Sequence, residues 1–431
     1  MFKKILSVMI FCCSLIQSYA SNTLTDIHDF NGNPLDGSGP QLNTLLQASN
    51  GILYGMTRFG GTTNQGMIYS FDPTNVAGTY ANIHNFGSGT DGTLPESSLM
   101  QASNGLIYGM TTAGGATTNG MIFSFNPSNP AGTYTNIHNF SGTPSDGKNS
   151  FSTLLQASNG LLYGMTNLGG TNNRGVIFSF DPANVAGTYA IIRNFSNSAT
   201  DGSFPHSSLI QASNGLIYGM ASGGAHGNGM IFSFNPANPA GTFVDLHDFG
   251  SGTDGSSPFC TLLQASNGLL YGMTLSGGTH AVGMMFSFDP ANVAGTYTDI
   301  HDFGSGTDGA SPFGSLFQAS NGLIYGMTTG GGTNSLGIIF SFNPANVVGT
   351  YTDIHDFAGG SMDGSGPSGE LMQASNGLLY GMTPLGGAHN NGIIFTFTVP
   401  LPPTPPPPPP PSVSFQRAFK RPSSSGIYRG R

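Results

Sequence analysis

Three features of this sequence predict an all-β fold, a seven-bladed β-propeller of four-stranded blades closed by its own N-terminal strand. First, the stretch Gln47-Ala48-Ser49-Asn50-Gly51-Ile52-Leu53-Tyr54-Gly55-Met56-Thr57 recurs, barely altered, from Gln101, Gln156, Gln211, Gln264, Gln318 and Gln373. Seven copies spaced 53 to 55 residues apart define a repeat architecture. Second, every copy carries short apolar runs that leave no room for a helix. Third, the last copy stops after its third run, and the missing fourth stands alone near the start of the chain.

Within a unit, residues 44–49 meet Asn50-Gly51, and a second run, residues 52–57, leads away. Asn-Gly between two such runs predicts a hairpin with a type I′ turn, which needs positive φ at both central residues. Gly60-Gly61 and a polar loop follow, then a third run, residues 66–71, ended by Asp72-Pro73 because proline cannot donate to a ladder. The loop of residues 75–78 leads into a fourth run, residues 79–86. Four strands of about five to eight residues in such a unit describe one propeller blade.

The chain ends complete the pattern. The seventh unit ends at Ile394-Phe395-Thr396-Phe397, while Thr25-Asp26-Ile27-His28-Asp29-Phe30 matches the fourth run of the other units. An open solenoid has no reason to split one repeat this way. A closed ring does, because pairing the two ends removes its exposed edges. Ile27 is therefore expected beside Phe395.

Residues 1–20 read as a signal peptide, with Lys3-Lys4, an apolar run from Ile5 to Ile16, and Ser18-Tyr19-Ala20 as the cleavage site. That run is too short to span a bilayer. Residues 21–398 form the propeller. Cleavage leaves one cysteine, Cys260, so disulfides are not expected to hold the fold. Charged residues are 7% of the chain, against about 25% in ordinary domains. All 20 acidic residues lie in the ring, with Arg58, Lys148, Arg174 and Arg193 as its bases, for a net charge of −16. That balance excludes nucleic acid, which needs a basic footprint. Residues 399–412 are a proline-rich linker of polyproline II character. Residues 413–431 read as a basic disordered tail, with Arg417, Lys420, Arg421, Arg429 and Arg431 placed for contact with an acidic envelope surface.

The unit Asn-Gly-Leu-Leu-Tyr-Gly-Met-Thr, Gly-Gly, Gly-x-Ile-Phe-Ser-Phe, Ile-His-Asn-Phe and Asp-Gly-x-x-Pro resembles the GloVer (Gloeo/Verruco) tandem repeat over about 370 residues. The resemblance implies a secreted or surface-attached bacterial propeller, periplasmic or on the cell surface, and brings no established activity with it. Met56, Met110, Met165, Met220, Met273, Met327 and Met382 stand where that repeat usually has threonine. The hydrophobic sorting tail usual in the family is not expected here. Kelch repeats are a more distant likeness.

Antiparallel order within a blade places the Ser-Asn-Gly hairpins on one face, and the second-to-third loops and blade connections on the other. The second face varies between units, so recognition is expected there. Its candidate binding residues are Arg58, Arg174, His226, His280 and His389, with Asp91, Asp254 and Asp308 from the Asp-Gly of the blade connections. Those aspartates read first as turn residues whose carboxylates bond local amides. His28, His84, His138, His247, His301 and His355, with Arg193 in the remaining blade, sit on outer strands, too far apart to share an ion. Glu96, Lys148, His206 and Glu370 fall in or after blade connections, and no nucleophile–base pair or paired-carboxylate motif appears. No catalytic residue, metal or cofactor is assigned. The expected function is an exported, non-enzymatic, monomeric binding or scaffold protein for a glycan or protein ligand. The alternative is a polysaccharide hydrolase or lyase with its site at the mouth of the ring.

Overall fold

The computed structural model describes residues 23–398 apart from residues 33, 251–252 and 305. The residues read above as signal peptide, proline-rich linker and basic tail lie outside the described residues. Among these residues, seven four-stranded antiparallel sheets form the blades of a ring. Blade 1 runs outward from the channel as Leu46–Gln47, Leu53–Thr57, Met67–Phe71 and Ala81–Asn85. Blade 7 joins Met372–Gln373, Leu379–Thr383 and Ile393–Phe397 to Leu24–Asp29, from the other end of the chain. Asp26 pairs with Phe395 and His28 with Ile394, with a bulge at Ile27 between them. The ring is closed as its split repeat requires.

Three local expectations need correction. The hairpin forms in every unit, but not on a type I′ turn. Gly51 takes φ 84° while Asn50 stays right-handed, and Gly51 donates its amide to the Ala48 carbonyl at 2.8 Å. This is a three-residue loop, a type I turn closed by a left-handed glycine. Asn50 is better used as a clamp, its Oδ1 accepting from the Ile52 amide at 3.1 Å. Next, the first strand of blade 1 spans two residues rather than the six of residues 44–49, because the Thr44 amide just before it bonds to the Ser98 hydroxyl of the neighbouring blade, as its equivalents do around the ring. Finally, single-turn helices do fit, at Val76–Thr79, Pro130–Thr133, Val185–Thr188, Val293–Thr296 and Val347–Thr350. Asn75 winds the first of them by accepting from the Gly78 amide at 3.2 Å, while the Thr79 hydroxyl donates to the Asn75 carbonyl at 2.7 Å.

The core is divided into seven apolar clusters, one at each blade–blade junction. Each methionine of the repeat is buried in one of them, an unbranched filler between facing sheets. Glycine is required at the centre of the second strand. A Cβ on Gly109 would stand 2.4 Å from the Phe123 ring. The closing junction has the same make-up as the others, with Phe30, Leu45, Tyr69, Phe71, Tyr380 and Ile394 fully or nearly buried together. There the Tyr69 hydroxyl also reaches the Met382 sulfur at 2.8 Å.

A second seam joins blades near their outer edges. His84 stacks on Tyr134 of the next blade at 3.6 Å, and both point at Asp91 of the connection between them, at 2.8 and 2.9 Å. The same trio recurs at His28–Asp36–Tyr80, His138–Asp146–Tyr189, His247–Asp254–Tyr297 and His301–Asp308–Tyr351. Burial raises the carboxyl pKa, but the histidine and tyrosine donors outweigh it at Asp36, Asp146, Asp254 and Asp308, which stay below the ordinary value. Between blades 3 and 4 the tyrosine is replaced by Phe243, which has no hydroxyl. Arg193 compensates: its guanidinium lies 3.5 Å over that ring and its Nε and Nη2 reach Asp201 at 2.6 and 2.5 Å.

Phe30→Ala should cost about 3–5 kcal/mol, as a large-to-small core change does, and as much as Phe140→Ala at a covalently continuous junction, measured by urea unfolding. Arg193→His should cost about 1–2 kcal/mol because residue 193 then gives Asp201 one donor in place of two, beside the Ser196 hydroxyl. Phe243→Tyr should restore most of that loss in the double variant, a coupling read from a double-mutant cycle.

Candidate functional site

The face of the Ser-Asn-Gly hairpins is spent on structure. Gln101 Oε1 accepts from the Ser49 amide at 2.7 Å and its Nε2 donates to the Ser49 hydroxyl at 3.1 Å, tying blade 2 to blade 1. Equivalent glutamines repeat the tie around the ring, and Gln47 makes it to Ser375 across the closing junction. Asn104 and Tyr108 hold the hairpin from behind, their side chains 2.8 Å apart.

On the opposite face each connection turns sharply into the central channel. Leu94, Phe204 and Ser311 take left-handed φ of 54°, 49° and 53°, and a proline follows each. Two residue rings result. The deeper one consists of Thr44, Ser98, Thr153, Ser208, Thr261, Ser315 and Glu370, around a cavity of about 60 Å³. Each amide donates to the hydroxyl of the next blade: Thr44 to Ser98 at 2.9 Å, Ser98 to Thr153 at 3.0 Å, Thr153 to Ser208 at 2.8 Å. Ser208 to Thr261 at 3.0 Å, Thr261 to Ser315 at 2.9 Å, and Glu370 to Thr44 at 3.2 Å continue it. The collar is interrupted at one place, where Glu370 stands instead of a hydroxyl.

The ring two residues earlier in each unit forms the mouth, and here the blades differ. Phe151, His206, Phe259 and Phe313 make a continuous aromatic arc, with ring centroids 4.8, 4.4 and 5.7 Å apart in turn. Leu42, Glu96 and Ser368 occupy the remaining arc, beside a cavity of about 440 Å³ that Gln41 and Thr329 also line. Burial pushes the His206 imidazole down to about 4, so it is neutral at pH 7. The wall is thus apolar on one side and polar on the other.

The residues expected from sequence are distributed unevenly. Arg58 reaches the mouth, where its Nε lies 2.9 Å from Glu96 as an ion-pair contact without hydrogen-bond alignment, and its Nη1 donates to Gln41 at 2.6 Å. Burial raises the Glu96 carboxyl, with Arg58 opposing. Arg174 lies 4.8 Å over the Phe204 ring in the neighbouring connection. His226, His280 and His389 are exposed on loops of blades 4, 5 and 7, and nothing brings them together. Asp91, Asp254 and Asp308 have their carboxylates engaged by the histidine–tyrosine seam. Among the described residues, no group of three His, Cys, Asp or Glu is placed to hold a metal. Cys260 is buried, which pushes its thiol well up from the ordinary value.

Sequence reasoning missed the aromatic arc, and it noted His206 and Glu370 in the blade connections without assigning either a place in a site. A signal existed: aligned on the repeat, six units have Ser or Thr at the collar position and one has Glu. Comparing units for the odd residue, rather than for exposed charge, would have singled it out.

Comparison with solved structures finds the same fold at low identity. The extracellular domain of a one-component system from B. thetaiotaomicron is similar with TM-score 0.55 and 14% identity, over 85% of this chain and 40% of that one. This chain therefore spans less than half the length of that relative. An oligogalacturonate lyase solved with manganese gives TM-score 0.56 and 12% identity over 89% and 95% of the two chains. An ulvan lyase of polysaccharide lyase family PL25 gives 0.53 and 10% over 86% and 96%. Among curated proteins no match is found. No described helix is long and apolar enough to cross a membrane. The Gloeobacter/Verrucomicrobia repeat matches residues 15–227 and 220–401, nearly the whole ring, and the chain belongs to that repeat family.

Proposed function

We propose that this protein is an exported binding propeller that takes a glycan at the mouth of its channel. The observation that carries the reading is the arc of Phe151, His206, Phe259 and Phe313, in which four neighbouring units place rings side by side at the mouth. Four adjoining rings, one pair stacked and two pairs tilted, offer apolar surface to the C–H face of a sugar, while Gln41, Glu96, Ser368 and Thr329 offer hydrogen bonds to its hydroxyls from across the cavity. Arg174, His226, His280 and His389, on the same face, would form the outer rim. Residues 1–20 supply export in this reading, and the basic tail would hold the ring near an acidic envelope polymer.

A second reading is a polysaccharide lyase, favoured by His206 being neutral and turned into the mouth. As a base it would take the proton beside a uronate carboxylate. The electron pair would form a C=C bond and expel the glycosidic oxygen on the next carbon. Two of the similar structures act on such polymers by name.

Calorimetry with oligosaccharides chosen from a glycan array tests both readings. Phe259→Ala and Phe313→Ala should each weaken binding about tenfold, the worth of one stacked ring, with alanine at His226, His280 and His389 costing less. Unchanged affinity in both phenylalanine variants would refute the mouth as the binding site. Ultraviolet absorbance from an unsaturated product, lost in His206→Ala, would establish the lyase instead.

A further inference from the structure

Positive charge is scarce in this ring, and half of it is unspent. Of the bases Arg58, Lys148, Arg174 and Arg193, the first is paired with Glu96 and the last with Asp201. Among the described residues, Lys148 and Arg174 have no acidic partner. Both belong to blade 3 and stand half-buried on the face of the mouth, beside the aromatic arc. Lys148 ends the pair Gly147–Lys148, which is bonded to Leu168–Gly169. Asn149 then takes a left-handed φ of 55° and turns the chain inward to Phe151. Arg174 is held against the next connection. Its carbonyl accepts the Phe204 amide at 2.8 Å and its guanidinium covers the Phe204 ring, two residues before His206. The backbone of Asn167 lies between the two bases. Its amide donates to the Asn149 carbonyl at 3.0 Å, and a Cβ on Gly175 would stand 3.0 Å from its carbonyl oxygen.

We propose that the glycan taken at the mouth is an anionic one, whose carboxylate or sulfate ester is held by Lys148 and Arg174 while the arc holds the sugar. This rests on the reading of the mouth given above and adds the class of ligand. The ring carries a net charge of −16, so an anionic ligand meets repulsion over most of it. Residues 146–200 reverse the sign, with Lys148, Arg174 and Arg193 against Asp146 and Asp181. Those two acids leave the bases of this face free. The Asp146 carboxylate is taken up by His138, Tyr189 and the amides of Ser141 and Gly147. Asp181 lies at the hairpin face, where it accepts from the Ala183 amide. Glu96 is answered by Arg58 at 2.9 Å, and Glu370 belongs to blade 7, across the channel from blade 3.

The two cations suit the task in different ways. Arg174 offers a planar fork of donors to two oxygens of one group, and stacking on Phe204 fixes that plane. Lys148 adds a point charge on a flexible stem, which serves a carboxylate or a sulfate equally. The arc begins immediately inside them, where the Phe151 and His206 rings stack at 4.8 Å. A sugar on those rings has its C–H face against the arc and its acid group at the rim where the bases stand.

Calorimetry with the full chain tests the class with matched ligands: oligogalacturonate against its methyl ester, and a sulfated galactan oligosaccharide against its desulfated form. The charged member should bind about tenfold tighter at low salt, and the advantage should shrink as salt screens these half-exposed charges. Preference within the first pair identifies a carboxylate and within the second a sulfate ester, and either supports the inference. Lys148→Gln and Arg174→Gln should each cut the charged-over-neutral ratio about fivefold, the worth of one good exposed ion pair. That ratio is taken within one preparation, so partial unfolding of a variant does not imitate the effect. Equal binding within both pairs, or an undiminished ratio in both variants, overturns the inference while the mouth reading stands. Charged ligands that do not bind at all, where a neutral glycan does, overturn it too. A charge preference that Phe259→Ala and Phe313→Ala leave at full affinity keeps the anion site and refutes the mouth instead.

Discussion

The outer edge of Ile393–Phe397 can be covered only by the chain's own beginning, and on that pairing the rest of the structure depends. A blade is not stable alone, because its apolar faces are finished only by its neighbours. With seven clusters and seven blades, every face is buried once and none is left over. Were Leu24–Asp29 released, one sheet would lose its outermost strand and the cluster around Phe30 would open to water. An unpaired edge of that kind is also a template for aggregation.

Closure fixes the position of everything facing the channel. Three belts run around the ring: glutamine to serine on the hairpin face, amide to hydroxyl in the collar, and histidine to aspartate to tyrosine outside. Each belt uses side chains of the repeat, so its geometry is copied from unit to unit. The chemistry proposed for binding sits where the copying lapses. Phe151, His206, Phe259 and Phe313 replace the smaller or polar residues of other units at the mouth, and Glu370 replaces a hydroxyl below them. A scaffold this regular holds such departures in place, because the backbone that carries each is the same in every unit.

Much of the fold was legible in the sequence, since repetition is a strong signal. Blade number, strand order, the split seventh blade and the buried methionine ring all follow from aligning seven units. The turn type was misread because Asn-Gly suits two hairpin loops, and the choice depends on the Asn50 side chain clamping the Ile52 amide. The short helices were missed because four residues carry no periodicity. The first strands were overestimated because an apolar run does not reveal that its amides point to another blade.

The site was less legible, for a physical reason. Exposed charge drew the eye to His226, His280 and His389, which the fold sets on separate loops. The aspartates of the connections do bond local amides, as read from sequence, but their histidine and tyrosine partners come from different units and do not show there. The arc was hidden because its members lie 53 to 55 residues apart and look like core phenylalanines. Native-state hydrogen exchange tests the role of closure most directly. Amides paired between Leu24–Asp29 and Ile393–Phe397 should open with the same free energy as those between Thr352–Asp356 and Ile338–Phe342, within about 1 kcal/mol. Closing-strand amides that exchange several kcal/mol more easily, with the other blades still protected, would show that the ring does not depend on its seam.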